Sequence, residues 1–331
     1  MKHVFVTGAA GFIGSQLAER CLDRGWRVTA VDSLAPYYDE RIKRENVRAL
    51  EADPNCELIE ADVLDLDLPA VLSDVDVVFH LAAQAGVRAS WGTSFDVYTH
   101  SNITVTQRLL EAAKHADVAR FVFASSSSVY GDAEQLPTAE DTMLLPLSPY
   151  GATKALTEYL AYLYFKSYGV PTVGLRYFSV YGPRQRPDMA FHRLILSALT
   201  GGEFSLFGDG EQTRDFTFVQ DAVAGTVAAA ERGEPGMVYN LGGGSQVSMN
   251  DVTGTVTEIL GERPKIRHTE AQRGDARDTS ADTSRARSAL GFTPTTTLLE
   301  GLARQVEWQR ENLELLASAA DPRAAGAAGS R

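Results

Sequence analysis

Cysteine is scarce in this 331-residue chain: there are two, Cys21 and Cys56, in no paired spacing. They cannot build a disulfide framework or a four-ligand zinc site, so a reducing cytoplasm is the expected setting. The six histidines, His3, His80, His100, His115, His192 and His268, are scattered without ligand spacing, so no metal is expected. Long apolar runs are missing too. No stretch of about 18 apolar residues occurs, and Met1-Lys2-His3 leads straight into a strand too short for a signal-peptide core, so neither a membrane partner nor a leader is expected. Positive charge is in deficit, 31 Lys plus Arg against 43 Asp plus Glu, a net −12. That weighs against nucleic acid or an anionic membrane as partner, and it requires any anionic ligand to be met by local cations. Internal repeats are absent. With 44% hydrophobic and 22% charged residues the composition is that of an ordinary folded chain, which excludes wholesale disorder, a coiled coil and a collagen-like fibre.

What is there is an alternation. Short apolar β-branched runs at 4–7, 27–31, 56–60, 75–81 and 120–125 are separated by helical patterns such as 13–24 and 103–115. The run Val75, Val77, Val78, Phe79, Leu81 leaves no solvent face, which predicts a parallel sheet covered on both sides. The fold class expected is α/β, a Rossmann-type doubly wound parallel sheet with a smaller mixed α/β substrate-binding region formed by the C-terminal part. Ser148-Pro149 predicts a helix start, Gly169-Val170-Pro171 its end near Tyr168, and 172–177 a further buried strand. Residues after about Leu316 are Ala, Gly and Ser rich and are expected to fray.

The first strand runs into Thr7-Gly8-Ala9-Ala10-Gly11-Phe12-Ile13-Gly14 and then a helix. Glycines at this spacing permit a tight turn, close approach of backbone N–H groups to a pyrophosphate, and close seating of the helix, whose amino end faces the negative charge. Asp32 ends the next strand, where a carboxylate can accept from a ribose 2′-OH. No Arg or Lys adjoins it in Ser33-Leu34, so NAD is favoured over NADP as the cofactor. The other reading of Asp32 is a plain cap. Asp62-Val63 closes the third strand, either at the adenine or as a simple turn.

Tyr150 and Lys154 are four apart at the start of the helix at Pro149 and so share a face. Ser125-Ser126-Ser127-Ser128 follow a buried strand, at the carboxyl edge where parallel sheets bind ligands. A phenol can serve as a base near neutral pH if a neighbouring ammonium and a cationic cofactor ring favour the phenolate, with a serine hydroxyl holding the same substrate oxygen. Tyr162 and Lys166 repeat the spacing but lie far along the helix, and are read as structural. Tyr150 and the serines could alternatively serve only the core.

On Gly8/Gly11/Gly14, His80-Leu81-Ala82-Ala83, Asn102, Ser126 to Gly131, Tyr150/Lys154, Gly208-Asp209-Gly210 and Thr213-Arg214-Asp215, the chain resembles the extended short-chain dehydrogenase/reductases that act on nucleotide sugars, over nearly all of residues 1–317. The resemblance implies Tyr150 as base, Lys154 on the nicotinamide ribose and Ser126 orienting the sugar hydroxyl. It also implies a cofactor site including Phe12, Ile13, Leu81, Ala82, Ala83, Asn102 and Tyr177. Dehydratases of the family place Asp-Glu directly after the catalytic serine or threonine, and uronate decarboxylases place a Glu two positions after it. Ser127 and Ser128 stand there in this chain, which favours hydride transfer alone, an epimerisation at C4.

The segment from Arg176 to Met189, with Ser179, Arg184 and Arg186, and Gln84-Ala85-Gly86-Val87-Arg88 are similar to UDP-glucuronate 4-epimerases. That implies a UDP-hexuronate substrate, with Arg186 binding a carboxylate bidentately beside Ser127, Ser128 and Ser179. Arg88, Arg184 and Arg186 could instead be ion-pair residues. Arg214 matches a diphosphate-binding position and Asp275 one near the uridine ribose; Gln272 stands where some relatives have an Arg. Phe207 borders the uracil or belongs to the core. The rival activity is a UDP-glucose/UDP-galactose 4-epimerase; a dehydrogenase and a silent NAD-binding module are further alternatives. The expected division is 1–178 for the dinucleotide with 214–245 returning to it, 179–213 and 246–317 for the sugar nucleotide, and 318–331 as a flexible tail. A homodimer through 103–116 and 149–167 is the expected assembly.

Overall fold

The computed structural model describes residues 1–270 and 277–320. Among these the strands are β1 (His3–Thr7), β2 (Arg27–Asp32), β3 (Cys56–Glu60), β4 (Val77–His80), β5 (Arg120–Ser126), β6 (Thr172–Tyr177), β7 (Ser179–Tyr181), β8 (Glu203–Phe207), β9 (Thr213–Phe218), β10 (Met237–Leu241), β11 (Gln246–Ser248) and β12 (Lys265–Thr269). Seven form one sheet in the order β3-β2-β1-β4-β5-β6-β10, every pairing parallel. Side chains alternate across it. Val4, Val6, Val28, Ala30, Phe79 and Val122 face one apolar cluster, while Phe5, Val31, Val78, Phe121 and Phe123 face another, so both sides are buried and the strands read as unbroken apolar runs. Each such side chain contributes about 1.5–3 kcal/mol.

The chain moves outward from β1 to β3, then returns to β4 on β1's other side. That reversal opens a crevice at the carboxyl ends of β1 and β4. Residues 219–241 also belong to this half, since the helix Val219–Arg232 packs on β5 and β6 and β10 closes the sheet. β9 does not: it pairs with β7 and β11 in a separate three-stranded sheet, and β8 pairs with β12.

The helix Pro149–Tyr168 has the predicted bounds, because Ser148 Oγ accepts from Gly151 N–H at 3.1 Å and Gly169, at φ +74°, turns the chain out of it. The helix expected at 103–115 is different. A π-helical turn, Thr99–Thr104, precedes the α-helix Val105–Ala113. Asn102 lies within that turn, and its amide accepts from Gln84 N–H (2.8 Å) and donates to Gln84 C=O (3.0 Å) and Thr153 Oγ1 (2.9 Å), a long-range tie that no local periodicity encodes. The helix Leu313–Ala320 continues through the first residues expected to fray; 321–331 lie outside the described residues.

Candidate active site

A cavity of about 780 Å³ follows the crevice from the end of β2 to the loops around β7 and β8. At one end the glycine turn leaves no room for side chains. A Cβ on Gly14 would sit 2.0 Å from Gly8 O, and one on Gly8, itself at φ +73°, would sit 2.7 Å from Ala82 N. The helix Phe12–Asp23 begins here with no side-chain cap, so its first N–H groups face the cavity. Gly8, Gly11, Phe12, Ile13 and Gly14 line the wall with Asp62, Val63, Leu81, Ala82 and Ala83. Asp32 Oδ2 accepts from Ala10 N–H (3.0 Å) and Oδ1 from Leu34 N–H (2.8 Å), so two backbone groups orient the carboxylate.

The local sequence offers Asp32 no cation, yet the fold supplies one: Lys43 Nζ lies 3.6 Å from Asp32 Oδ1, both side chains largely buried. Lys43 arrives from the next helix, Glu40–Ala52, and adjacency in sequence was the wrong place to look. Asp62 has the turn character that was one of its two readings. It lines the cavity and caps a turn through Leu64 N–H (2.9 Å), while its other oxygen meets His100 Nε2 at 3.0 Å.

In the middle stand Tyr150, Lys154 and Ser126, all on the wall. Ser126 Oγ donates to Ser128 Oγ and accepts from Ser128 N–H, both at 3.1 Å, fixing the serine turn. Burial holds the Tyr150 phenol above its ordinary value, opposed by a hydrogen bond from Ser126 and by the charge of Arg186. Lys154 lies one helical turn on, its side chain buried. Its ammonium donates to Ala124 C=O at 2.9 Å, and burial brings its pKa down to about 8 against the pull of Glu158. Glu158, one turn further along the helix, forms a buried fork with Arg176, Nη2 to Oε2 at 2.6 Å and Nε to Oε1 at 2.9 Å. Tyr162 is exposed and Lys166 lies over its ring, which leaves that second pair outside the site.

At the far end Arg88, Ser127, Ser128, Ser179, Arg186 and Arg214 all line the wall. Arg186 is bidentate to Asp188, Nε to Oδ1 at 2.9 Å and Nη2 to Oδ2 at 3.0 Å. Arg214 is fastened to Thr213 C=O (2.9 Å) and Arg277 C=O (2.7 Å), and Arg88 stacks 4.3 Å above Phe207. Two anticipated residues, Arg184 and Asn102, take other places. Arg184, in a left-handed backbone conformation, turns to Glu19 (2.8 Å) and Ser15 (3.2 Å) behind the cavity. Asn102 stands behind the wall as described. Tyr177 lines it with its ring while its hydroxyl meets Thr226 at 2.6 Å. Asp275 and Gln272 lie outside the described residues. Sequence reasoning missed Tyr37, Tyr38, Lys43 and Asp188; the signal for the tyrosines was an aromatic pair in the loop after β2.

A doubly wound sheet, a glycine turn beneath an uncapped helix and a Ser/Tyr/Lys group at the strand ends define a nucleotide-dependent enzyme of the short-chain dehydrogenase/reductase type. More particularly, the chain belongs to the NAD dependent epimerase/dehydratase family, whose model matches residues 4–242. It is 38% identical over 324 residues to a UDP-glucuronate 4-epimerase of Thermodesulfobacterium geofontis, covering 96% of this chain and 99% of that one. It is similar to the UDP-glucuronic acid 4-epimerase of Bacillus cereus crystallised with UDP-glucuronic acid and NAD, at TM-score 0.91 and 43% identity over 93% of this chain and 99% of that one. MoeE5, crystallised with NAD and either UDP-glucose or UDP-glucuronic acid, matches at TM-score 0.85 and 43% identity; in the UDP-glucuronic acid complex 94% of this chain and 100% of that one are covered.

Proposed function

We propose that the chain epimerises a UDP-hexuronic acid at C4, interconverting UDP-glucuronate and UDP-galacturonate with bound NAD. The observation that carries this is one cavity holding Ser126, Tyr150 and Lys154 beside Arg186, with Ser127 and Ser128 where a dehydratase or decarboxylase has its carboxylates. The glycine cradle, the open helix end and the oriented Asp32 carboxylate fit a dinucleotide with a free ribose hydroxyl. NAD, when bound, supplies the acceptor for the C4 hydride and gives it back. Tyr150 as phenolate takes the O4 proton and later returns it, so the cycle is neutral in protons. Ser126 holds the same oxygen, and Lys154 holds the ribose. Arg214 takes the nucleotide diphosphate end.

A 4-keto uronate is a β-keto acid prone to lose CO₂. Arg186, through the part of its guanidinium that Asp188 leaves open, and Ser127, Ser128 and Ser179 keep the carboxylate oriented, which opposes that loss. Incubation with UDP-glucuronate and chromatography tests the reading: UDP-galacturonate is expected, and a pentose product with released CO₂ refutes it. Tyr150→Phe should lower turnover by about a thousandfold.

Among the described residues no helix is long and apolar enough to cross a membrane. The two cysteines, both free thiols, support the cytoplasm as the working location. The assembly is a homodimer. Leu156, Tyr159 and Leu163 are exposed on one side of the helix Pro149–Tyr168, an apolar strip suited to a second copy. Light scattering that finds a monomer at working concentration would remove the dimer.

A further inference from the structure

Arg186 does not meet the cavity as a lone cation. Its Nε and Nη2 already form a fork with Asp188, at 2.9 and 3.0 Å. Asp188 is held in turn by Tyr37, whose hydroxyl donates to Oδ2 at 3.4 Å. Tyr37 comes from the loop after β2 and rests against Gly86, where an added Cβ would lie 2.6 Å from its hydroxyl. Two loops therefore meet at one carboxylate, and a third, at Gly86, backs the tyrosine. Burial alone would push Asp188 upward, but the guanidinium outweighs it and holds the group below its usual range, so Asp188 is ionised at neutral pH.

We propose that Asp188 is a specificity-determining residue, a resident counter-ion that sets how strongly this pocket prefers an acidic sugar over a neutral one. The proposal rests on the reading of Arg186 as the contact for the sugar carboxylate. An unpaired guanidinium in a partly desolvated pocket penalises a neutral ligand that leaves it uncompensated. With Asp188 in place the pair is close to neutral, so a C5 hydroxymethyl group enters without stranding a charge. A uronate must use the part of the guanidinium that Asp188 leaves open, and it meets the repulsion of a second carboxylate. Asp188 thereby moderates the preference that Arg186 creates.

The test compares UDP-glucuronate with UDP-glucose, each scored as substrate or as competitive inhibitor of the other, in the NAD-loaded protein. Asp188→Asn keeps the shape and one acceptor but removes the charge. The ratio of kcat/KM values, or of inhibition constants, should move about tenfold toward UDP-glucuronate, chiefly through KM. Asp188→Ser should move it the same way, which covers the case in which one variant fails to fold. Asp188→Glu keeps the charge and should restore the ratio to near that of the unaltered protein. A ratio unchanged in Asp188→Asn, or shifted equally in Asp188→Glu, overturns the proposal while leaving the epimerase reading intact. An unaltered protein that epimerises UDP-glucose and ignores UDP-glucuronate overturns both.

Discussion

The two ends of the cavity are each guarded by an acid–base pair, and the pairs are built in opposite ways. At the β2 end the carboxylate of Asp32 is fixed by two backbone N–H groups, with Lys43 coming in behind. At the far end the guanidinium of Arg186 is fixed by a side chain, Asp188, which hangs in turn on Tyr37. One end is set by main-chain groups of the turns that follow β1 and β2, the other by side chains on loops. Backbone recognition tolerates almost no change in shape, whereas side-chain recognition can be retuned one residue at a time.

The sharpest break falls between the two ends, beneath the catalytic group. Glu158→Gln uncouples the buried Arg176 fork and leaves an uncompensated guanidinium, and it should cost about 3–5 kcal/mol in denaturant unfolding. A loss under about 1 kcal/mol would show that this pair does not hold the two regions together. Gly14→Ala attacks the backbone end. With its Cβ forced to 2.0 Å from Gly8 O, retained dinucleotide, read by absorbance after gel filtration, should fall about a hundredfold. Arg186→Ala attacks the other end. KM for UDP-glucuronate should rise by about tenfold or more with dinucleotide retention unchanged, and unaltered kinetics would remove Arg186 from the substrate site.

A titration samples both regions at once. Burial lowers His80, behind the cofactor end, to about 3, and His192, behind the sugar end, to about 4, from 6.5 in the unfolded chain. Both are neutral when folded, so the unfolded chain binds more protons below pH 6.5. Stability is then full above 6.5 and falls as pH drops, by up to about 1.4 kcal/mol per unit for each histidine. Thermal melts should show the His192 contribution ending near pH 4 and that of His80 continuing toward 3. A melting temperature that rose on acidification from 6.5 would contradict this.

Much of the cavity was legible before any coordinates. The glycine turn, Asp32, the serine run and the Tyr150/Lys154 spacing are each local: a handful of adjacent residues already carries their geometry, because a tight turn, a strand end and a helix face are properties of short segments. The strands were legible for a related reason, since burial on both faces demands unbroken apolar runs. Lys43 beside Asp32, Asp188 astride Arg186, Arg184 turned to Glu19 and the π-helical turn around Asn102 were not. Each depends on which loop crosses which, and a charge's partner is chosen by proximity in space.

The sequence by itself determined the class of fold, the glycine turn and the grouping of Ser126, Tyr150 and Lys154 on one wall, because these follow from steric and hydrogen-bonding rules acting over a few residues. Only the tertiary structure decided which charges face the ligand and which neutralise one another. Coulombic attraction depends on distance through space and on burial, and both are set when the loops beyond the sheet edge come together.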